Sequence, residues 1–267
     1  MEDPRFLRVE IDGGIATVTL DRPPVNALSA PMMREIGRVF TELGRGTAAV
    51  VAVLTAGGER VFCAGADIAE SERRYVRREL IPGETMADLA DPGAVVRECF
   101  SGIRDGGLPV IAALNGAAVG AGAALVACCD LVVASQTAFL SLPEIDVGVL
   151  GGARHVQRLL GPFKAREMAY TGRSVPAAEL YRLGAAVEVV PPGSLQAAAR
   201  ALATELAGKS PLALRMAKEA MNRMESLSLE EGYRLEQDYT ARVSRLDDAR
   251  EARAAYREKR RPRWSWR

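Results

Sequence analysis

The chain has 267 residues, of which 48% are hydrophobic and 26% charged, a composition typical of a globular protein with one large or two small domains. Its 35 Lys and Arg residues nearly balance its 34 Asp and Glu residues, which argues against nucleic-acid binding through bulk charge. His155 is the only histidine, so a zinc site built from several histidines is excluded. A Ser–His–Asp triad would have to use this residue. The four cysteines lack a metal-binding spacing, and we expect small buried side chains in a reducing compartment.

Residues 108–129 carry no charge over 22 positions, which is long enough to span a bilayer. Proline, asparagine and glycine residues interrupt this stretch, so we predict a buried strand, a loop and a helix instead. The first ten residues show no secretory or transit signal. We therefore expect a cytoplasmic protein with no membrane contact.

Taken in chain order, the apolar pattern predicts alternating strands and helices. Strands at 5–11 and 15–20 flank a Gly-Gly pair and form a hairpin. Ser29 is then the predicted N-cap of an amphipathic helix over 30–44. Continuous apolar runs predict strands that are covered on both faces. These runs occupy residues 49–56, 109–114, 131–135 and 185–190. Such alternation is typical of an α/β protein.

Two parts of the chain depart from this alternation. Residues 70–98 are polar, rich in charge and broken by two Pro-Gly pairs, which predicts either a surface excursion or a mobile lid. From Pro211 onward the pattern is helical, with two further helices at 228–244 and 247–260. The last 19 residues hold eight basic and two acidic residues, an excess that the near-neutral total hides.

Three segments are candidates for chemistry. Residues 61–68 and 115–125 are rich in glycine and alanine and each follows a predicted strand. Small residues let a backbone approach a ligand, and helix starts present free N–H groups; a tight strand–helix packing turn is the alternative. Glu144 stands among apolar neighbours, as either a structural hydrogen-bond acceptor or an acid/base with a shifted pKa.

Together, the order and spacing of these segments resemble the crotonase superfamily, that is, the enoyl-CoA hydratase/isomerase family. The resemblance runs from about Phe6 to Trp264. Its motifs are DRPPVNAL at 21–28, CAGADI at 63–68, NGAAVGAG at 115–122, CD at 129–130, PEI at 143–145, YTG at 170–172 and YREKRRP at 256–262.

The resemblance implies an α/β crotonase (ClpP/crotonase-like) fold. A spiral of β-β-α units that binds acyl-CoA would occupy residues 1–200, and a helical region for oligomerisation and CoA contact would occupy 201–267. By family analogy the protein forms a homotrimer or a dimer of trimers. The implied partner is an acyl-CoA thioester, with coenzyme A as part of the substrate, and no permanently bound cofactor, metal or nucleic acid is expected.

The resemblance also implies site residues. In this family the thioester carbonyl accepts hydrogen bonds from two backbone N–H groups, which by position belong to Ala66 and Ala121, and such donors stabilise an enolate-like oxygen. Glu144 matches a catalytic glutamate. The implied substrate-binding residues are Ala64, Asp67, Ile68, Gly120, Gly152, Tyr256 and Lys259. Of these, Tyr256 and Lys259 match C-terminal positions that reach CoA, and a cation there suits a phosphate.

One departure from the family pattern decides the expected chemistry. Hydratases of the family use two glutamates, and the position of the first is Ala124 here. Asp146 could face the same side as Glu144 if the segment were extended, and His155 could line the acyl pocket or hold a water. The Gly152 position disfavours the dienoyl-CoA isomerase branch, which has aspartate there.

We therefore expect a hydratase-type lyase with Glu144 as its single acid/base. The alternatives are double-bond isomerisation, C–C cleavage of a ring-derived acyl-CoA, and a catalytically weak protein that binds acyl-CoA. Four arginines of the 70–98 excursion either pair with Glu70, Glu72 and Glu79 or meet a carboxylated acyl chain. These arginines are Arg73, Arg74, Arg77 and Arg78.

Overall fold

The computed structural model describes residues 4–81 and 83–267, and it contains two β-sheets. In spatial order, the larger sheet consists of β1 (Leu7–Asp12), β2 (Ile15–Leu20), β3 (Val51–Ala56), β5 (Val110–Leu114), β7 (Leu131–Ser135) and β10 (Glu188–Val190). The smaller sheet consists of β4 (Val61–Cys63), β6 (Ala117–Val119), β8 (Phe139–Ser141) and β9 (Val175–Pro176). All neighbouring strands pair in parallel except β1 with β2 and β8 with β9.

Helices alternate with these strands and then continue alone. They are α1 (Ala30–Arg45), α2 (Ile68–Ser71), α3 (Met86–Ala90), α4 (Ala94–Arg104), α5 (Ala121–Cys128), α6 (Ala153–Thr171), α7 (Ala177–Arg182), α8 (Leu195–Ala207), α9 (Pro211–Met224), α10 (Leu229–Ser244) and α11 (Asp247–Glu258). The predicted α/β alternation, the first helix and the helical C-terminal region are thus confirmed. In the described part of the chain, none of these helices combines the length and the apolar character needed to cross a membrane.

The hairpin and the first helix form where the sequence places their turn and cap. Gly13 and Gly14 both have positive φ angles, of 57° and 77°, as a two-residue turn between twisted strands requires. The Ser29 side chain accepts a hydrogen bond from the Met32 N–H, at 3.4 Å, and this satisfies one free donor of the first turn of α1.

The larger sheet is covered on both faces, which explains why its strands are continuous apolar runs. Alternate residues such as Val53 and Ile111 pack against α8, whereas Leu54 and Leu114 belong to the main core with α1 and α4. The four cysteines are all buried and free, as predicted.

The uncharged stretch 108–129 folds into β5, β6 and α5. The predicted strand, loop and helix are therefore present, and a short strand of the smaller sheet lies between them. This strand places residues 117–119 beside β4 and β8, so the two glycine-containing segments of the sequence meet at the smaller sheet.

The 70–98 excursion is held against α1 by ion pairs. Arg34 of α1 pairs with Asp88 at 2.5 Å. Arg74 is 5% exposed and pairs with Glu84 at 2.6 Å. The expectation that it pairs with one of the glutamates at 70, 72 and 79 is therefore wrong. Two further arginines pair as expected, Arg73 with Glu79 and Arg77 with Glu72.

A buried lysine attaches the helix α9 to the segments next to β5 of the larger sheet. The ammonium of Lys218 donates to the carbonyls of Ile103 and Leu108, at 2.8 and 3.0 Å, and pairs with Asp130 at 2.8 Å. Asp130 also accepts a hydrogen bond from the N–H of Val110, the first residue of β5. A charged group that is 3% exposed is thereby fully paired, as burial of a charge requires.

Candidate active site

Two backbone segments touch next to the smaller sheet. Gly65 has a φ of 96°, and a methyl group on its Cα would stand 2.9 Å from the carbonyl oxygen of Val119 and 3.7 Å from the nitrogen of Ala121. A methyl group on Gly122 would stand 2.5 Å from the carbonyl oxygen of Cys63. Only residues without a side chain permit such an approach, and this accounts for the glycines of both motifs.

Two free N–H groups belong to these touching segments. Ala121 is the first residue of α5, so its N–H has no partner within the helix. Within residues 4–81 and 83–267, neither this N–H nor that of Ala66 donates a hydrogen bond, although the neighbouring N–H groups of Asp67 and Gly120 do. Ala66 is exposed and Ala121 is half-buried, so a ligand can reach both donors.

Glu144 lies directly against the second segment. It belongs to a 3₁₀ turn, Pro143–Val147, that follows β8. Its Oε1 would be 2.9 Å from a methyl group on Gly120 and 3.4 Å from one on Gly151. Its Oε2 is buried and has no hydrogen-bond partner among the described residues. Burial raises the pKa of the Glu144 carboxyl above its usual range, against a smaller opposing effect of the residue's own N–H. Such a group takes up and releases protons readily.

The structure places no second carboxylate at the two positions that the sequence offered. Ala124 is fully buried on α5, where its N–H donates to the carbonyl of Gly120. Asp146 lies on the 3₁₀ turn, so the assumption of an extended segment is wrong. Its Oδ2 would be 2.8 Å from a methyl group on Gly172, the residue that ends α6.

A cavity of about 570 Å³ adjoins Glu144. Gly151 and Gly152 line this cavity, and a methyl group on Gly151 would stand 3.4 Å from Oε1 of Glu144. The opposite wall is α4, where the ring of Phe100 meets the ring of His155 edge to face at 4.8 Å. Burial lowers the pKa of His155, and the nearby arginines 104, 154 and 158 lower it further. His155 lines the cavity, one of the roles that the sequence left open, whereas the α4 wall was not predicted.

The predicted CoA-lining residues 64, 67 and 68 follow β4. Ala64 and Ile68 are exposed. Asp67 caps α2 by accepting a hydrogen bond from the Glu70 N–H, and it pairs with Arg22 at 2.8 Å. Burial alone would raise the pKa of Asp67, but the bonds from Arg22 and from backbone N–H groups outweigh it and lower the pKa. Asp67 therefore has a local structural role in addition to any contact with a ligand.

The C-terminal candidates lie apart from this group. Tyr256 is 87% exposed on α11, and Lys259 follows this helix with a φ of 52°. In the described part of the chain, no hydrogen bond or ion pair joins either side chain to the residues around Glu144. Their contact with CoA stays a prediction. No three His, Cys, Asp or Glu residues among those described are grouped in the manner of a metal site.

Nearly the whole chain is similar to known acyl-CoA enzymes in both sequence and structure. The family model of Enoyl-CoA hydratase/isomerase matches residues 10–267. A (7aS)-7a-methyl-1,5-dioxo-2,3,5,6,7,7a-hexahydro-1H-indene-carboxyl-CoA hydrolase of Rhodococcus jostii is 36% identical over 250 residues, which cover 94% of this chain and 93% of the relative. A carnitinyl-CoA dehydratase of Proteus mirabilis is 36% identical, covering 98% of each chain. The crystal structure of an enoyl-CoA hydratase from Bacillus anthracis superposes with a TM-score of 0.88 at 29% identity, covering 98% of this chain and 100% of the other.

Proposed function

Since the chain belongs to the enoyl-CoA hydratase/isomerase family and has the crotonase fold, we propose that it is a hydratase-type lyase that uses Glu144 as its single acid/base. The observation that carries this proposal is the position of the Glu144 carboxylate against Gly120, the residue before the free N–H of Ala121. One proton-transfer group and one carbonyl-binding group are thereby held side by side.

The proposed reaction proceeds through a thioester enolate. The thioester oxygen accepts hydrogen bonds from the N–H groups of Ala66 and Ala121, which stabilise the negative charge that develops on it. Glu144 takes a proton from a water molecule as the water oxygen bonds to C3 of the enoyl group. The electron pair of the C2–C3 double bond moves to the enolate, and Glu144 returns its proton to C2. The reverse sequence eliminates water.

Two alternatives use the same residues. In double-bond isomerisation, Glu144 takes a proton from C2 of a 3-enoyl thioester and returns it to C4. In C–C cleavage, water adds to a ring ketone, and the bond between that carbon and C2 breaks to leave the enolate, which takes a proton at C2. The name of the Rhodococcus jostii relative, a carboxyl-CoA hydrolase of a bicyclic dione, supports this second alternative.

The proposal extends to assembly and CoA binding. Large apolar side chains are exposed on the outer helices, including Phe163 at 81% and Leu229 at 91%, and their burial between subunits would be favourable. We assign Tyr256 and Lys259 to CoA in a trimer or a dimer of trimers. The basic side chain of Lys259 would pair with a phosphate.

The experiment that tests the function identifies the product. The protein is incubated in D₂O with crotonyl-CoA, with 3-enoyl-CoAs and with a cyclic 3-oxoacyl-CoA. A 3-hydroxyacyl-CoA that carries deuterium at C2 supports the lyase, a shifted double bond supports the isomerase, and a ring-opened acid supports the hydrolase. CoA binding without formation of any of these three products would contradict all three reactions.

A further inference from the structure

We propose that the cavity beside Glu144 takes an acyl group with an apolar body and a second carboxylate at the end remote from the thioester. This inference rests on the proposed acyl-CoA chemistry and names the substrate class for it. The cavity lies next to Glu144, because Gly151 lines it and a methyl group on Gly151 would stand 3.4 Å from the Glu144 carboxylate. It then extends between α4 and the first residues of α6.

The body of the cavity suits an apolar group. Val96 and Phe100 line it from α4, and Leu150 and Ala153 line it from the other side. Its volume of about 570 Å³ lies within the range of small-molecule pockets, and it is open to solvent, where Leu150 is 91% exposed. A short acyl chain would leave most of this space without a partner, so the cavity favours a longer or cyclic group.

The charged groups at the cavity are mostly cationic. Three arginines line it, against one carboxylate, that of Asp105. Two of the arginines are already paired, Arg97 with Asp91 and Arg104 with Asp105 and Glu225. Arg154 is exposed, and its guanidinium forms no ion pair or hydrogen bond with any residue in 4–81 or 83–267.

Arg154 therefore offers two parallel donors to an incoming anion, the geometry that binds a carboxylate. Its neighbour His155 lies among cations, since arginines 104, 154 and 158 all act on it. A cationic acyl group would be repelled there. Three arginines of the excursion are already paired with glutamates, namely Arg73, Arg74 and Arg77, and the fourth, Arg78, does not line the cavity.

The test compares two 2-enoyl-CoAs of equal length, 2-octenedioyl-CoA with a terminal carboxylate and 2-octenoyl-CoA with a terminal methyl group. We expect the wild-type protein to favour the carboxylate substrate in kcat/KM by about tenfold or more, as a charge-assisted hydrogen bond provides. Arg154→Met should lose this preference, measured as the ratio of kcat/KM for the two substrates. Arg154→Lys should keep part of it.

Arg245→Met is the matched control, because Arg245 is exposed and does not line the cavity. It should leave both substrates unaffected. Equal turnover of the two substrates by the wild-type protein, or a preference that survives Arg154→Met, would overturn the inference and leave the proposed function standing. Failure of the wild-type protein to convert any acyl-CoA into one of the three products would instead overturn the proposed function, and this inference with it.

Discussion

Glu144 and Gly120 are so close that no side chain fits between them. Gly120 has a φ of 55°, and a methyl group on its Cα would stand 2.9 Å from Oε1 of Glu144. The glycine is therefore required twice, for its backbone conformation and for the space that the carboxylate occupies. The same residue precedes Ala121, so one position of the chain sets both the carboxylate and the free N–H group.

The first prediction concerns this glycine. Gly120→Ala should displace the Glu144 carboxylate and lower the turnover of acyl-CoA by about 100-fold or more, since acid–base catalysis contributes on the order of 10²–10⁴-fold. Gly148→Ala is the control, because Gly148 has a similar φ of 73° but no atom within 4 Å of the added methyl group. Gly148→Ala should lose about 1–2 kcal/mol of folding stability, because an L residue is strained in the left-handed region. Gly120→Ala should lose more, because its ψ of −118° lies outside that region. Equal loss of turnover in both would contradict the account.

The second prediction isolates the N–H group of Ala121. Proline is tolerated at the first position of a helix and removes only the N–H, so Ala121→Pro should fold. Turnover should fall by about 10²–10³-fold, and the Kd for free CoA should stay within about twofold. Leu229→Pro makes the same change at the start of α10 and should leave turnover intact. An Ala121→Pro enzyme with normal turnover would exclude this N–H from the reaction.

The third prediction follows from the raised pKa of Glu144. A base acts only when ionised, so kcat/KM should fall as the pH falls through this pKa, at a pH above the ordinary value of 4.5. His155 has a lowered pKa and is neutral at neutral pH. His155→Gln should therefore leave the acidic limb in place. A limb below 4.5, or one that disappears in His155→Gln, would assign the base to another group.

The fourth prediction concerns the link between α9 and the larger sheet. Lys218→Met removes the buried partner of Asp130 and should lower the free energy of unfolding by about 3 kcal/mol, the usual result when a buried pair loses one member. Urea unfolding measures this difference. Lys209→Met, at a lysine whose side chain is 57% exposed, should cost less than about 0.5 kcal/mol. A similar small loss in Lys218→Met would mean that the pair is not needed for folding.

The parts of the fold that the sequence predicts are those set by local patterns. The hairpin around residues 13 and 14, the helix capped by Ser29 and the buried strands all follow from turn chemistry and apolar periodicity. The smaller sheet was not predicted, because its strands have only two or three residues and such runs carry no periodic signal. β4, for example, is only Val61–Cys63.

Some residues of the candidate site could likewise be predicted from local patterns, and others could not. The motifs identified Glu144 and the glycine segments, and the structure brings these together. The α4 wall of the cavity could not be predicted, because Phe100 comes from a distant part of the chain and only the tertiary fold places it beside His155. The direction of Asp146 was also hidden, since a 3₁₀ turn and an extended segment have the same residues but different side-chain directions.

In the proposed mechanism, Glu144 alone transfers the proton to and from the acyl-CoA. This mechanism is tested most directly by deuterium exchange at C2 in Glu144→Gln beside Asp146→Asn, which changes the other carboxylate of the same turn. We expect Glu144→Gln to lose exchange by about 10³-fold with CoA binding retained, and Asp146→Asn to keep the wild-type rate. Exchange that persists in Glu144→Gln, or that is lost in Asp146→Asn at unchanged stability, would contradict this mechanism.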